Sequence, residues 1–223
     1  MKKVILIGNS ITAEILYKYL ENDNRYEVVA FAIEKEFIKN NKLFDKDVID
    51  INELKNKFDI NTYSIIMAIG YNELNKVREK LFKLVKGFGY EVETYIHPDA
   101  KIYSDFDIGE GSMILANSTV EPFAKIGKNS VIWANCVIAH HSNIGDNCWI
   151  ASGTVIAGNA KVGNNSFIGV NVTIVDKVAV GDFNIIGAGA MISKNTKENE
   201  VYIIGNASKH RFDAINYDKY FGI

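Results

Sequence analysis

The chain has little of what thiol or metal chemistry needs. Two cysteines, Cys136 and Cys148, occur in 223 residues, and neither sits in a C-x-x-C pattern. A disulfide framework or thiol metal site is not expected. Charge excess is missing too. A net charge of −2 offers no field for nucleic acid or an anionic membrane. The N-terminal "MKKVILIGNS" holds an apolar run of only four residues, too short for a signal peptide or a membrane span. A cytoplasmic protein is the expectation. The apolar share of 48% and charged share of 23% suit a soluble globular protein with one large domain or two small ones. Histidine is also scarce, with four copies, and two of them, His140 and His141, are adjacent.

What the chain does have is a repeat. From Ile96 to Ile192 every sixth residue is Ile or Val, seventeen in register. Four residues after each, the side chain is usually small, as at Ser112, Ser118, Cys136, Cys148 and Thr154. A period of six fits neither a helix nor an alternating strand. It fits a triangular coil of three short β segments, eighteen residues per turn, with the aliphatic residues stacked inward and the small residue at each corner. Stacked coils pair as parallel strands about 4.8 Å apart, which is a hexapeptide parallel β-helix. The two cysteines fall on small positions and read as structural.

Before the repeat, "KKVILIG" (2–8), "YEVVAFAI" (26–33), "YSIIMAIG" (63–70) and "EVETYI" (91–96) read as strands. "ITAEILYKYLEN" (11–22) and "NELNKVREKLFKLVKGFG" (72–89) read as helices, and 48–58 leads into another. Such alternation predicts a small Rossmann-like parallel sheet. The expected division is 1–95 for this α/β unit, 96–197 for the β-helix and 198–223 for a cap over its open end.

Three places carry candidate chemistry. "GNS" (8–10) ends a strand before a helix, where backbone N–H groups can hold a phosphate, although G-x-G-x-x-G is absent; a plain strand-to-helix turn is the other reading. "AIGYN" (68–72) ends the third strand beside it. Glu34 follows the second strand, as an acceptor for a sugar or base hydroxyl or as a solvated carboxylate. In the hexad frame His140 is neither the inward residue nor the small one, so it faces the outside of the prism. One coil up stands Gly158, with room for an imidazole and an open backbone N–H. A histidine base with an N–H for an oxyanion is an acyl-transfer arrangement. His97 and His210 read as structural or interfacial.

The segment "IGKNSVI…VIAHHSNIGDNCWIASGTVIAGNAKVGNNSFIGVNVTI", with the preceding α/β unit, resembles the hexapeptide-repeat acyltransferases of the sialic-acid O-acetyltransferase-like family. That family includes bacterial N-acetyltransferases of nucleotide-linked 4-amino-4,6-dideoxy sugars in surface-glycan biosynthesis. The resemblance implies a left-handed β-helix, a homotrimer, acetyl-CoA as acyl donor without a metal, and a nucleotide-linked amino sugar as acceptor. It implies that His140 is the base, with His141 standing where relatives carry an acid. It implies Trp149, Gly158, Val170 and Ala188 at the coenzyme and Ser10, Ile11, Thr12, Glu34 and Gly70 at the nucleotide sugar. This chain has "GNSITA" for the usual "GASGHG"-like loop and "GNASK" without the usual proline. An O-acetyltransferase, a trimeric scaffold and a zinc-dependent β-helix enzyme are the competing readings; the last needs three converging histidines.

Overall fold

The computed structural model describes residues 1–106 and 108–221. Lys2–Ile7 (β1) pairs in parallel with Tyr26–Ile33 (β2) on one side and Tyr63–Met67 (β5) on the other. Beyond β2 lie Lys46–Asp50 (β4) and its antiparallel partner Lys42–Leu43 (β3). The strand order is β3-β4-β2-β1-β5. Ile11–Glu21 (α1) and Lys76–Gly87 (α3) bury Leu16, Leu20, Leu81 and Val85 in the same core as the strands.

Three segments differ from expectation. The stretch 48–58 is first a strand, because the β-branched Val48 and Ile49 are buried beside β2. Only Leu54–Lys57 (α2) is α-helical there. The second helix begins at Lys76 rather than 72, because Glu73, Leu74 and Asn75 have φ of 51°, 50° and 65°, outside the helical region. Within 91–96, Val92 makes a single bridge to Ile65, and Tyr95–Ile96 already belongs to the coil.

The coil is a left-handed parallel β-helix with three faces. Seven strands from Tyr95–Ile96 to Val201–Tyr202 form the first face. Six from Lys101–Ile102 to Met191–Ile192 form the second, and four from Lys125–Ile126 to Ala179–Val180 the third. Residues pair eighteen apart, as Val137 does with Val155. The aliphatic residues of the period line the inside: Ile114, Ile132, Ile138, Ile150 and Ile168 are all fully buried. After Tyr202 the chain runs exposed to Ala214–Phe221 (α4); residues 222 and 223 of the expected cap lie outside the described residues.

The small residues do not make the corners. They point inward and tie coils together: Ser112 and Ser130 donate to the carbonyls of Gly127 and Gly145 at 2.6 and 2.8 Å. The Cys148 thiol occupies the same place against Gly163 O at 3.1 Å. The corner is the preceding residue, which has positive φ at every step from Gly111 to Gly189. Asparagine, which tolerates that region best after glycine, fills half of these corners: Asn117, Asn129, Asn135, Asn147, Asn159, Asn165 and Asn171.

Candidate active site

Both histidines lie on the edge that joins the second face to the third. His140 and His141 are exposed, and the backbone holds them firmly. The His140 N–H donates to Glu121 Oε2 at 2.8 Å, and its carbonyl accepts from Asn159 N–H at 2.9 Å. His141 sits on the left-handed corner itself, φ 60°. Its ring lies 4.7 Å from that of Phe123, one coil below. The two imidazoles meet through Nδ1 atoms 3.2 Å apart. One ring must carry its proton there and the other must not.

His140 and Gly158 come together as the coil spacing predicts. A Cβ on Gly158 would stand 2.6 Å from His140 Cε1 and 2.7 Å from Nε2; only glycine admits the ring. Gly158 is buried, with the His140 ring edge against its Cβ position. Asp176, one coil further up, places Oδ1 3.0 Å from the same Cβ position. Glu121 and Asp176 were not singled out from the sequence.

The remaining candidates are spread over other parts of the chain. Val170 and Ala188 share the edge between the first and second faces, linked by Gly189 N–H donating to Val170 O at 2.8 Å. Val170 is 47% exposed. Trp149 projects from the first face into the α/β region and is 5% exposed. It is covered by Tyr71 and Trp133, with ring centroids at 5.2 and 5.3 Å.

In the α/β region, Gly8 and Gly70 follow the ends of β1 and β5, on either side of the point where strand order reverses. Such a crevice is where open α/β sheets take ligands. Gly8 has φ 129° and lies against the Ala68 carbonyl, so a side chain would close the gap. Thr12 Oγ1 is 3.5 Å from the Cβ position of Gly70. Ser10 and Ile11 face a separate cleft of about 430 Å³ with Phe37, Lys39 and Lys42. Glu34 is ion-paired with Lys80 at 2.6 Å. The five candidates thus fall at two neighbouring places and one ion pair.

Arg78 also escaped the sequence reading. It is fully buried and bolts the α/β region to the coil. Its guanidinium donates to the carbonyls of Gly70, Asn129, Asn147 and Cys148 and to Asn75 Oδ1, at 2.8–3.1 Å. Burial lowers its pKa to about 9. The guanidinium remains charged at neutral pH, and its acceptors are dipoles instead of a carboxylate.

Among the described residues no three metal-ligating side chains converge, and no helix is long and apolar enough to cross a membrane.

Residues 107–140, 123–158, 141–176 and 159–194 match the family of the bacterial transferase hexapeptide (six repeats). No curated protein matches the chain. Among solved structures, the acetyltransferase domain of PglB from Neisseria gonorrhoeae FA1090 superposes with a TM-score of 0.80 at 20% identity, over 90% of this chain and 96% of that one. PerB from Caulobacter crescentus, solved with CoA and GDP-perosamine, gives 0.77 at 24% identity over 89% and 92%. WeeI from Acinetobacter baumannii AYE gives 0.79 at 21% identity over 89% and 94%. These likenesses span the α/β region as well as the coil, so the whole architecture is shared.

Proposed function

We propose that this chain, whose coil is a bacterial transferase hexapeptide repeat, is an acetyl-CoA-dependent N-acetyltransferase of a nucleotide-linked amino sugar, of the 4-amino-4,6-dideoxy class, in surface-glycan biosynthesis. One observation carries the reading: the His140 imidazole rests in the hollow that Gly158 leaves, with Nε2 2.7 Å from the missing Cβ. Nε2 takes the proton of the acceptor nitrogen as it attacks the thioester. The Gly158 N–H, which has no hydrogen-bond partner among the described residues, steadies the oxyanion. His141 orients His140 through Nδ1. Attack is direct. The two cysteines are buried, and burial pushes their thiols up to about 11 and 12, which disfavours an acyl-enzyme. The fold-sharing Caulobacter protein, solved with CoA and GDP-perosamine, supports the donor and the acceptor class.

The acting unit is a homotrimer. In a triangular coil the edge bearing His140 lies opposite the first face, which carries this chain's own α/β region. Thr12 and Gly70 therefore cannot deliver a sugar to His140 of the same chain, and a neighbour's α/β region must do so. The faces differ accordingly. The third presents Lys125, Asn143, Lys161 and Ala179, whereas the second presents Val137 and Val155 between Thr119 and Thr173, with Lys101 at one end and Met191, 68% exposed, at the other. The second face, with Val137 and Val155 at its centre, meets another copy and brings the Val170–Ala188 edge of one chain toward the His140 edge of the next, with the pantetheine arm between them.

The test is thiol release from acetyl-CoA with nucleotide-linked 4-amino-4,6-dideoxy sugars, for wild type and His140→Ala. Loss of turnover by about 10²- to 10⁴-fold is expected in the variant; unchanged turnover overturns the role of His140. Turnover confined to hydroxyl acceptors would make the enzyme an O-acetyltransferase.

A further inference from the structure

This inference rests on the acetyl-transfer reading above and concerns what holds the acceptor nitrogen. The His140 edge repeats, at eighteen-residue steps, as Pro122, His140, Gly158, Asp176 and Lys194. His140 and Asp176 stand on either side of Gly158 in that column. The point where a Gly158 Cβ would lie is 2.7 Å from His140 Nε2 and 3.0 Å from Asp176 Oδ1. Those two atoms are thus at most about 6 Å apart, a gap that one nitrogen hydrogen-bonded to both at roughly 2.8 Å would span. No hydrogen bond or ion pair joins them directly among the described residues.

The carboxylate is available. Its ion-pair partner is Lys177 at 3.4 Å, with side chains 48% and 78% exposed for the aspartate and lysine. Exposed pairs of that kind are weak. The other acid on this edge, Glu121, is engaged with the His140 backbone N–H. Asp176 is therefore the acid that shares the hollow with Nε2.

We propose that Asp176 is the acceptor-amine subsite: its carboxylate receives the sugar's amino group as an ammonium and holds the nitrogen between Oδ1 and His140 Nε2. The ammonium gives one proton to neutral His140, and the freed lone pair attacks the thioester carbonyl carbon. The C–N bond forms and the C–S bond breaks. His140 returns its proton to the departing sulfur, and the proton that nitrogen sheds on becoming an amide passes to solvent. A hydroxyl acceptor carries no charge and gains far less from the carboxylate, so this subsite selects amines.

The experiment uses the full chain, acetyl-CoA and a panel of nucleotide-linked 4-amino-4,6-dideoxy sugars that includes GDP-perosamine, each beside its 4-hydroxyl counterpart. For Asp176→Asn, kcat/KM toward the amine should fall about tenfold or more at pH 7, mainly through KM. The KM for acetyl-CoA should not change, and Asp176→Glu should recover part of the loss. The deficit should narrow at pH values where the free acceptor is a neutral amine. The other ionisable groups of the edge, His140, His141, Glu121 and Lys177, are the same in both proteins. Equal losses with amine and hydroxyl, or a raised KM for acetyl-CoA, would overturn the subsite while leaving amine transfer intact. A wild type that turns over no amine would overturn both.

Discussion

The Nδ1 atoms of His140 and His141 face each other at 3.2 Å, with the rings nearly perpendicular at 83°. In the proposed role His140 keeps Nε2 bare as the base, which puts its proton on Nδ1 and makes His141 the acceptor. His141 then carries its own proton on Nε2. Substituting His141 removes that acceptor, and the corner supplies suitable replacements. Phe123 and Phe183 hold φ of 65° and 54° at equivalent corners, and asparagine holds many others. His141→Phe should fold normally by circular dichroism and lose about 10- to 100-fold in kcat, the range seen for partners that orient metal-bound histidines. Wild-type turnover in that variant would remove His141 from the mechanism.

Arg78 supplies a test of how the two regions are joined. Arg78→Met strips the donor from five acceptors, and several buried carbonyls are left without it. A loss of about 3 kcal/mol is expected from urea unfolding. Arg78→Lys keeps the charge but cannot reach all five acceptors, and should fall between the two. The direction of the wild-type pH dependence follows from the lowered pKa. From about pH 9 upward the unfolded chain binds the proton more tightly than the folded one, so this group makes stability rise with pH. Below that range both states are protonated, and its contribution is flat.

The thiols of Cys136 and Cys148 should be inert in the native protein. Desolvation pushes them up to about 11 and 12, and both are fully buried. At pH 8 a disulfide reagent should label neither, and both should react together when the coil unfolds. Rapid labelling of the native protein would mean that the coil opens locally.

Assembly through the second face can be tested by charge. Val137→Lys combined with Val155→Lys places two lysines on adjacent rungs, where like charges would meet at a subunit contact. Light scattering should show a shift from trimer to monomer, with loss of transfer activity. A variant that stays trimeric and active would mean that copies meet elsewhere.

Much of the coil was legible because its physical requirement repeats: each rung needs one inward aliphatic residue, and Ile or Val appears at every sixth position from Ile96 to Ile192. The corners were misassigned to the small residue, although the asparagine just before it, at 117, 129, 135, 147, 159, 165 and 171, was a readable mark of left-handed backbone. Its exceptions were informative too. Phe123, His141 and Lys177 replace asparagine or glycine on the edge that carries His140, against one such exchange, Phe183, elsewhere, and a corner residue that gives up easy geometry points to a role beyond folding. The spacing that leads from His140 to Gly158 leads to Asp176 in one more step. Arg78 had no such mark. It stands in an amphipathic helix, and three of its five acceptors are backbone carbonyls of Asn129, Asn147 and Cys148, far along the chain, which leave no side-chain signature in a sequence.

The stacking of Pro122, His140, Gly158, Asp176 and Lys194 in one column makes the edge a ruler whose ticks are whole coils, about 4.8 Å each. On the proposed roles, the base occupies one tick, the hollow the next and the acid the third. On those roles acceptor reach is set in discrete steps, and moving the acid along the column changes it. Moving the acid to position 194, where a lysine now stands, would shift the carboxylate one coil further from the base and suit an amine carried on a longer arm.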